Sequence, residues 1–128
     1  MRVYLAGPIE YLPYREANAW RGYATAVLEL HSPSIEALNP SLEINRDEHT
    51  DEEIVNICNK LVESSDVILA DISRKVQSSG TPMEIKHAYE RGIPVIAFGE
   101  TKSPHLRTYA NIFPTVQKAL RHILEVYA

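Results

Sequence analysis

The sequence predicts an α/β fold, a flavodoxin-like or Rossmann-like three-layer sandwich around a mostly parallel five-stranded sheet. Three observations predict it. Short apolar runs alternate with longer stretches of helical period, the pattern of βαβ units. One of those runs, Asp66–Asp71 (DVILAD), is almost continuously apolar, as a strand buried on both faces must be. No repeat, linker or low-complexity tract divides the 128 residues. Residues 1–128 therefore read as one domain, long enough to bury a core.

Taken in order, the first strand is Arg2–Ala6, stopped by Gly7-Pro8. From Tyr14 to Leu30, Ala17, Trp20, Ala24, Val27 and Leu28 recur on one face of a helix. Ile35–Asn39 is a short strand ended by Pro40, and residues 40–49 read as polar loop. Thr50-Asp51-Glu52-Glu53 matches a capping box, and the stripe Ile54, Ile57, Cys58, Leu61, Val62 makes the second helix. After DVILAD comes a polar loop, Ile72–Gly80. Thr81-Pro82-Met83-Glu84 then repeats the capping-box pattern, with proline at the first helical position. That helix runs to Gly92, a natural C-cap. Ile93–Phe98 is the fourth strand. A helical piece at Pro104–Tyr109, a strand at Asn111–Phe113 and a helix over Thr115–Tyr127 complete the chain.

Composition removes several classes of function. Hydrophobic residues are 45% and charged residues 23%, ordinary for a globular chain and inconsistent with disorder. A net charge of −4 argues against coating a nucleic acid, which needs a Lys/Arg excess on some face. The single cysteine, Cys58, cannot form an intramolecular disulfide, and no apolar run reaches the roughly 18 residues of a membrane span. The N-terminus enters a strand directly rather than a leader. A cytoplasmic location, with no membrane or nucleic-acid partner, is the expectation. His49, His87 and His105 lack metal-ligand spacing, so neither a metal site nor a cofactor is expected.

In a parallel α/β sheet, ligands bind outside the carboxyl ends of the strands. That places Gly7-Pro8, Asp71–Gly80 and Gly99–Ser103 around one crevice. The segment Ser78-Ser79-Gly80-Thr81-Pro82-Met83-Glu84 is the most informative, because it joins a buried strand to a helix at that edge. A carboxylate in a first helical turn is held ionised by unpaired N–H groups and the helix dipole, so Glu84 is expected to have a lowered pKa and to suit attack on an anomeric carbon. The same glutamate also reads as a mere cap on Thr81. Ser78, Gly80 and Thr81 could cradle a phosphate, without the lysine of a P-loop. Asp71 ends a strand facing the crevice and is a candidate acid or base. Asp47 and Asp51 are also candidates for the acid or base role, and Asp47 for a substrate contact, although both read first as solvated loop and helix-start charges. Tyr4 reads as core, though a buried phenol seeks a polar partner. Trp20 reads as core.

Tyr4-Leu5-Ala6-Gly7-Pro8, Trp20-Arg21, Asn39-Pro40, DVILAD and Ser-x-Gly-Thr-x-x-Glu together resemble the nucleoside 2-deoxyribosyltransferase family, over most of the chain and most densely in residues 2–8 and 66–98. That family includes nucleoside 5′-monophosphate N-glycosidases. The resemblance implies a flavodoxin-like fold and a homo-oligomer whose active sites are shared between subunits. It also implies a small-molecule nucleoside or nucleotide substrate with a nucleobase, and a glutamate nucleophile that forms a covalent deoxyribosyl intermediate. Glu84 matches that nucleophile and Tyr4 the tyrosine that hydrogen-bonds it.

Two positions depart from the transferase pattern. Cys58 stands where an aspartate handles the nucleobase. Ser78, six residues before the nucleophile, is the serine of the monophosphate hydrolases rather than the aspartate of the transferases. A hydroxyl there suits a phosphate that a carboxylate would repel. Ser103 is a candidate phosphate contact from a partner subunit. Deoxyribosyl transfer to a base or to water is the leading expectation. Hydrolysis of a 2′-deoxynucleoside 5′-monophosphate and non-catalytic nucleotide sensing are the alternatives.

Overall fold

The computed structural model describes residues 1–9, 13–73 and 80–128. Eleven elements follow in chain order: β1 (Arg2–Ala6), α1 (Tyr14–His31), β2 (Glu36–Leu38), α2 (Pro40–Glu43), α3 (Asp51–Glu63), β3 (Val67–Asp71), α4 (Gly80–Glu90), β4 (Val95–Phe98), α5 (Pro104–Tyr109), β5 (Asn111–Phe113) and α6 (Val116–Val126). The sheet order is β2-β1-β3-β4-β5, and every pairing is parallel. This is the flavodoxin-like order, and parallel throughout rather than mostly so.

Strand alternation sorts the core into two layers. Val3, Leu5, Val67, Leu69, Ile96 and Phe98 pack on one face against Ala24 and Leu28 of α1 and Ala119, Leu120 and Ile123 of α6. Tyr4, Ala6, Ile68, Ala70, Val95 and Ala97 face the other way, against Val62 of α3 and Ile85 and Ala88 of α4. All five residues of β3 are buried, which is why both parities of DVILAD are apolar.

The order also fixes the ligand edge. From β1 the chain winds one way to β2, then returns to place β3 on the other side of β1. The carboxyl ends of β1 and β3 therefore diverge at a switch point, where an open α/β sheet leaves a crevice.

Two elements differ from the sequence reading. Residues 40–43 form α2 rather than loop. Asn39 caps it, accepting from the Ser41 amide at 3.0 Å, and its Nδ2 donates to Asn18 Oδ1 at 3.1 Å, tying α2 to α1. The helix was too short to show a period. The third long helix, α4, begins at Gly80, so Thr81 lies inside it and does not cap it. Pro82 is still within the first turn, where a missing N–H costs nothing.

Gly99, just after β4, has φ +129°, and a Cβ there would stand 2.7 Å from the Ser73 backbone. Both the dihedral and the contact exclude a side chain. Gly99→Ala is expected to lower stability by about 2 kcal/mol or more, read from the urea midpoint; an unchanged midpoint would contradict this packing.

Candidate active site

A cleft of about 370 Å³ opens at the switch point. Gly7 and Ile9 after β1, and Ile44 and Arg46 after α2, form one side. Ile54, Val55, Cys58 and Asn59 of α3 and Gly80, Met83, Glu84 and His87 of α4 form the other. The volume falls within the range of small-molecule sites, roughly 300–1,000 Å³. Glu84 is the one carboxylate among the described residues that line it.

Glu84 is half-buried, and its Oε2 has no hydrogen-bond partner among the described residues. Burial pushes its pKa up to about 7, against the opposing effects of the Tyr4 hydroxyl and the Arg21 charge. The expectation of a lowered pKa is therefore reversed, and the reason is positional. Because α4 starts at Gly80, Glu84 is its fifth residue, and no acid lies in the first turn. The Thr81 hydroxyl is buried without a partner among the described residues, so no capping box forms there. Desolvation is left as the dominant influence.

The same Thr-x-x-Glu pattern at α3 behaves as expected. The Thr50 Oγ1 accepts from the Glu53 amide at 3.2 Å, and Glu53 Oε1 accepts from the Thr50 amide at 2.9 Å. Those hydrogen bonds hold the exposed Glu53 carboxyl below its ordinary range.

Tyr4 is fully buried, and its hydroxyl faces Glu84 and Cys58 without a hydrogen bond of ordinary geometry to any described residue. Burial, then the Glu84 charge, holds the phenol well above its usual range, so it is a neutral donor. Cys58 is pushed up to about 11 by burial and then by Glu84. It is a neutral thiol at the cleft wall, on the helical stripe that reads as core.

Arg21 entered the sequence reading only within the Trp20-Arg21 pair of the resemblance, with no role of its own. It is fully buried, and its guanidinium donates to the carbonyls of Leu5 (3.2 Å), Gly7 (2.8 Å) and Ala17. It also lies 4.9 Å from the Trp20 ring centroid, and Trp20 meets Phe98 edge-on at 5.2 Å. The available signal was its register: Arg21 sits four residues after Ala17 and three before Ala24, on the apolar stripe, where a charge is rarely placed without a partner.

The other expected residues separate. Gly7 and Gly80 line the cleft, and Pro8 is buried beside it. Asp71 is buried, accepts from the Ser73 amide (2.9 Å) and hydroxyl (2.5 Å), and does not line the cleft. Those bonds occupy the carboxylate at the strand end. Asp47 and Asp51 are exposed and lie outside the lining. Ser103 caps α5, accepting from Leu106, and Gly99–Lys102 line a separate pocket. Among the described residues, that pocket and the Glu84 cleft have no lining residue in common. Ser78 lies outside the described residues.

Two cleft residues carry further polar chemistry. Arg46 brings a guanidinium to the wall. His87 Nε2 meets Glu63 Oε1 at 3.0 Å, and Arg91 Nη1 meets His87 Nδ1 at 3.1 Å. A guanidinium only donates, so Nδ1 accepts and Nε2 carries the proton toward Glu63.

The sequence profile of the nucleoside 2-deoxyribosyltransferase family matches residues 3–121. The chain belongs to that family. This deoxyribosyltransferase-family protein is an enzyme. No curated protein matches it by sequence. Among solved structures it is similar to a conserved protein from Enterococcus faecalis V583, with TM-score 0.80 and 18% identity over 98% of each chain. It is also similar to a 2-desoxiribosyltransferase from Leishmania mexicana, with TM-score 0.76 and 18% identity over 99% of each chain. A CMP N-glycosidase from Clostridium botulinum gives TM-score 0.66 and 18% identity over 99% of this chain and 100% of that one. At such identities these neighbours establish the fold. No helix among the described residues is long and apolar enough to cross a membrane.

The raised pKa of Glu84 has a stability consequence in this family member. Its folded value of about 7 exceeds the ordinary 4.5. The stability gained by keeping it protonated is complete below pH 4.5 and is lost as pH rises through 7. Glu84→Gln removes that loss. The variant is expected to match the parent near pH 4.5 and to exceed it by up to about 3 kcal/mol at pH 8, measured by denaturant unfolding at both pH values. A variant less stable than the parent at pH 8 would contradict the burial.

Proposed function

We propose that this enzyme cleaves the N-glycosidic bond of 2′-deoxyribonucleosides and passes the deoxyribosyl group to another nucleobase or to water. The observation that carries this reading is the Glu84 carboxylate in a cleft at the switch point of the sheet, the one carboxylate among the described residues that line it. A carboxylate facing a cleft of this size can serve as the nucleophile of a double displacement at the anomeric carbon.

In the first step an ionised Glu84 oxygen forms a bond to C1′ as the C1′–N bond breaks. The bonding pair leaves with the base, which takes a proton. In the second step an incoming base, or water, bonds to C1′ and displaces the carboxylate, so the anomeric configuration is retained overall. Tyr4, neutral and buried beside Glu84, is the donor that orients the attacking carboxylate. Gly7 and Gly80 leave room for the substrate beside the backbone. Met83 and Val55 are 72% and 56% exposed at the mouth, an apolar rim that suits coverage by a second copy.

A second reading is favoured by Arg46. A guanidinium in the cleft suits the phosphate of a 2′-deoxynucleoside 5′-monophosphate. The 5′-phosphate would then be the specificity handle and water the acceptor. Its mark is Arg46→Gln raising KM for monophosphates while leaving free nucleosides unaffected. Base exchange confined to unphosphorylated nucleosides would exclude it.

Covalent attack is tested by intact-mass measurement with a 2′-fluoro nucleoside analogue, which slows breakdown of the ester. A glycosyl adduct mapped to Glu84 is expected, and Glu84→Ala should lose at least ~10³-fold in base release. An adduct on another residue, or undiminished release by the variant, would overturn the assignment. Saturable binding with no base release from any substrate would instead favour a nucleotide sensor.

Ionisation gives the sign of the pH dependence. Attack needs the charged carboxylate, and its pKa is raised to about 7. For the free enzyme kcat/KM should rise about tenfold per pH unit below 7 and level off above it. A profile flat from pH 5 to 8 would exclude Glu84 as the titrating nucleophile.

A further inference from the structure

We infer that Arg21 is a positioning residue for the Glu84 chemistry: it clamps the turn after β1 by its backbone carbonyls and sets a fixed positive charge within reach of Tyr4, Glu84 and Asp71. The inference deepens the proposed function and rests on it for its catalytic meaning, though not for its test.

The geometry has two parts. The Leu5 and Gly7 carbonyls, both at the carboxyl end of β1, accept from Nε and Nη2, while Nη1 is held by the Ala17 carbonyl of α1 itself. The first helix thereby holds the cleft wall at Gly7 against the sheet. The fit at residue 7 is close: a Cβ there would lie 3.0 Å from Trp20, 3.2 Å from Asp71 and 3.3 Å from Arg21 Nη2, so these side chains would have to give by a few tenths of an ångström.

The second part is the charge. Carbonyls need only hydrogen-bond donors, which a neutral side chain could supply. A buried guanidinium costs desolvation that the carbonyls alone do not call for, and in this inference the field it sets at the neighbouring acids is what it supplies. The acids whose charge acts on Arg21 are Glu84, reaching it from α4, and Asp71 from β3. Tyr4 of β1 also acts on it, and Cys58 of α3 bears on Tyr4 and Glu84. Arg46 and His87 line the outer cleft, the latter engaged by Glu63 and Arg91. Glu84 thus sits between desolvation, which favours the neutral acid, and a permanent cation, which favours the nucleophilic anion. Arg21 stays protonated over the whole range in which Glu84 titrates, so its contribution does not vary with pH.

The test reads Glu84 directly, in the free protein, from the carboxyl ¹³C shift assigned by its loss in Glu84→Gln. Arg21→Gln keeps a donor and removes the charge; Arg21→Lys keeps the charge and removes the planar fork. The Gln variant is expected to move the Glu84 midpoint up by about one unit, and the Lys variant to leave it at the parent value while raising KM as the Gly7 turn loosens. A folded Gln variant with the parent midpoint would overturn the inference. So would a Lys variant displaced as far as the Gln variant. Should Arg21→Gln not fold, the Lys midpoint decides alone, since displacement by a unit with charge retained excludes a field effect. Undiminished base release by Glu84→Ala would sink the proposed function and leave this titration result standing.

Discussion

A carboxylate kept in an apolar seat, without a full set of hydrogen bonds, is the constraint around which the site is built. Water would stabilise the anion of Glu84. Burial does the reverse, raising the pKa to about 7 and with it the basicity of the carboxylate, which is what the proposed attack would use. The seat costs folding free energy at neutral pH. It is tolerated because the surrounding layers are packed on both faces of the sheet, where β1, β3 and β4 are almost wholly buried. Stability is given up at the chemical centre and recovered from the core beneath it, a common exchange at enzyme sites.

The strand order is what lets distant elements share this seat. Tyr4 belongs to the layer under α3 and α4, whereas Arg21 comes from α1 in the opposite layer. A continuous sheet would separate them. At the switch point β1 ends beside β3, Gly7 has no side chain, and the guanidinium passes across the sheet edge to reach the Gly7 carbonyl. The opening that admits a ligand is also the opening through which one layer supplies charge to the other.

Much of this was legible in the sequence, and the failures have physical causes. The doubled apolar parity of DVILAD predicted a strand buried on both faces, and the helical stripes located α1, α3 and α6. Glu84 drew attention first by its place at a strand-to-helix junction and Tyr4 by the resemblance, and the fold sets the two side by side. Local chemistry misled at Thr81-Pro82-Met83-Glu84, which has the same spacing as Thr50–Glu53. Whether such a glutamate caps depends on the residue at which the helix starts. A start at Gly80 turns a capping acid into an interior one, inverting the direction of its pKa shift. Arg21 was noted only as part of the Trp20-Arg21 pair and given no role, because periodicity counts apolar residues and a buried charge satisfied by backbone carbonyls leaves only a gap in the stripe. Asp71 was expected to face the crevice; its Oδ1 accepts from the Ser73 amide and hydroxyl two residues later, a local turn that the apolar run before it does not show.

Cys58 gives the cleft its remaining character. A carboxylic acid at that position would face Glu84 across a small, poorly solvated space, and two such groups titrate as a coupled pair with one proton strongly retained. The thiol avoids this. Its pKa of about 11 keeps it uncharged near the pH at which Glu84 ionises, so no second charge from this wall complicates that titration. A thiol held that far above neutrality is also a weak proton donor. In the proposed reaction the proton for a departing base would therefore come from water or another group rather than from Cys58.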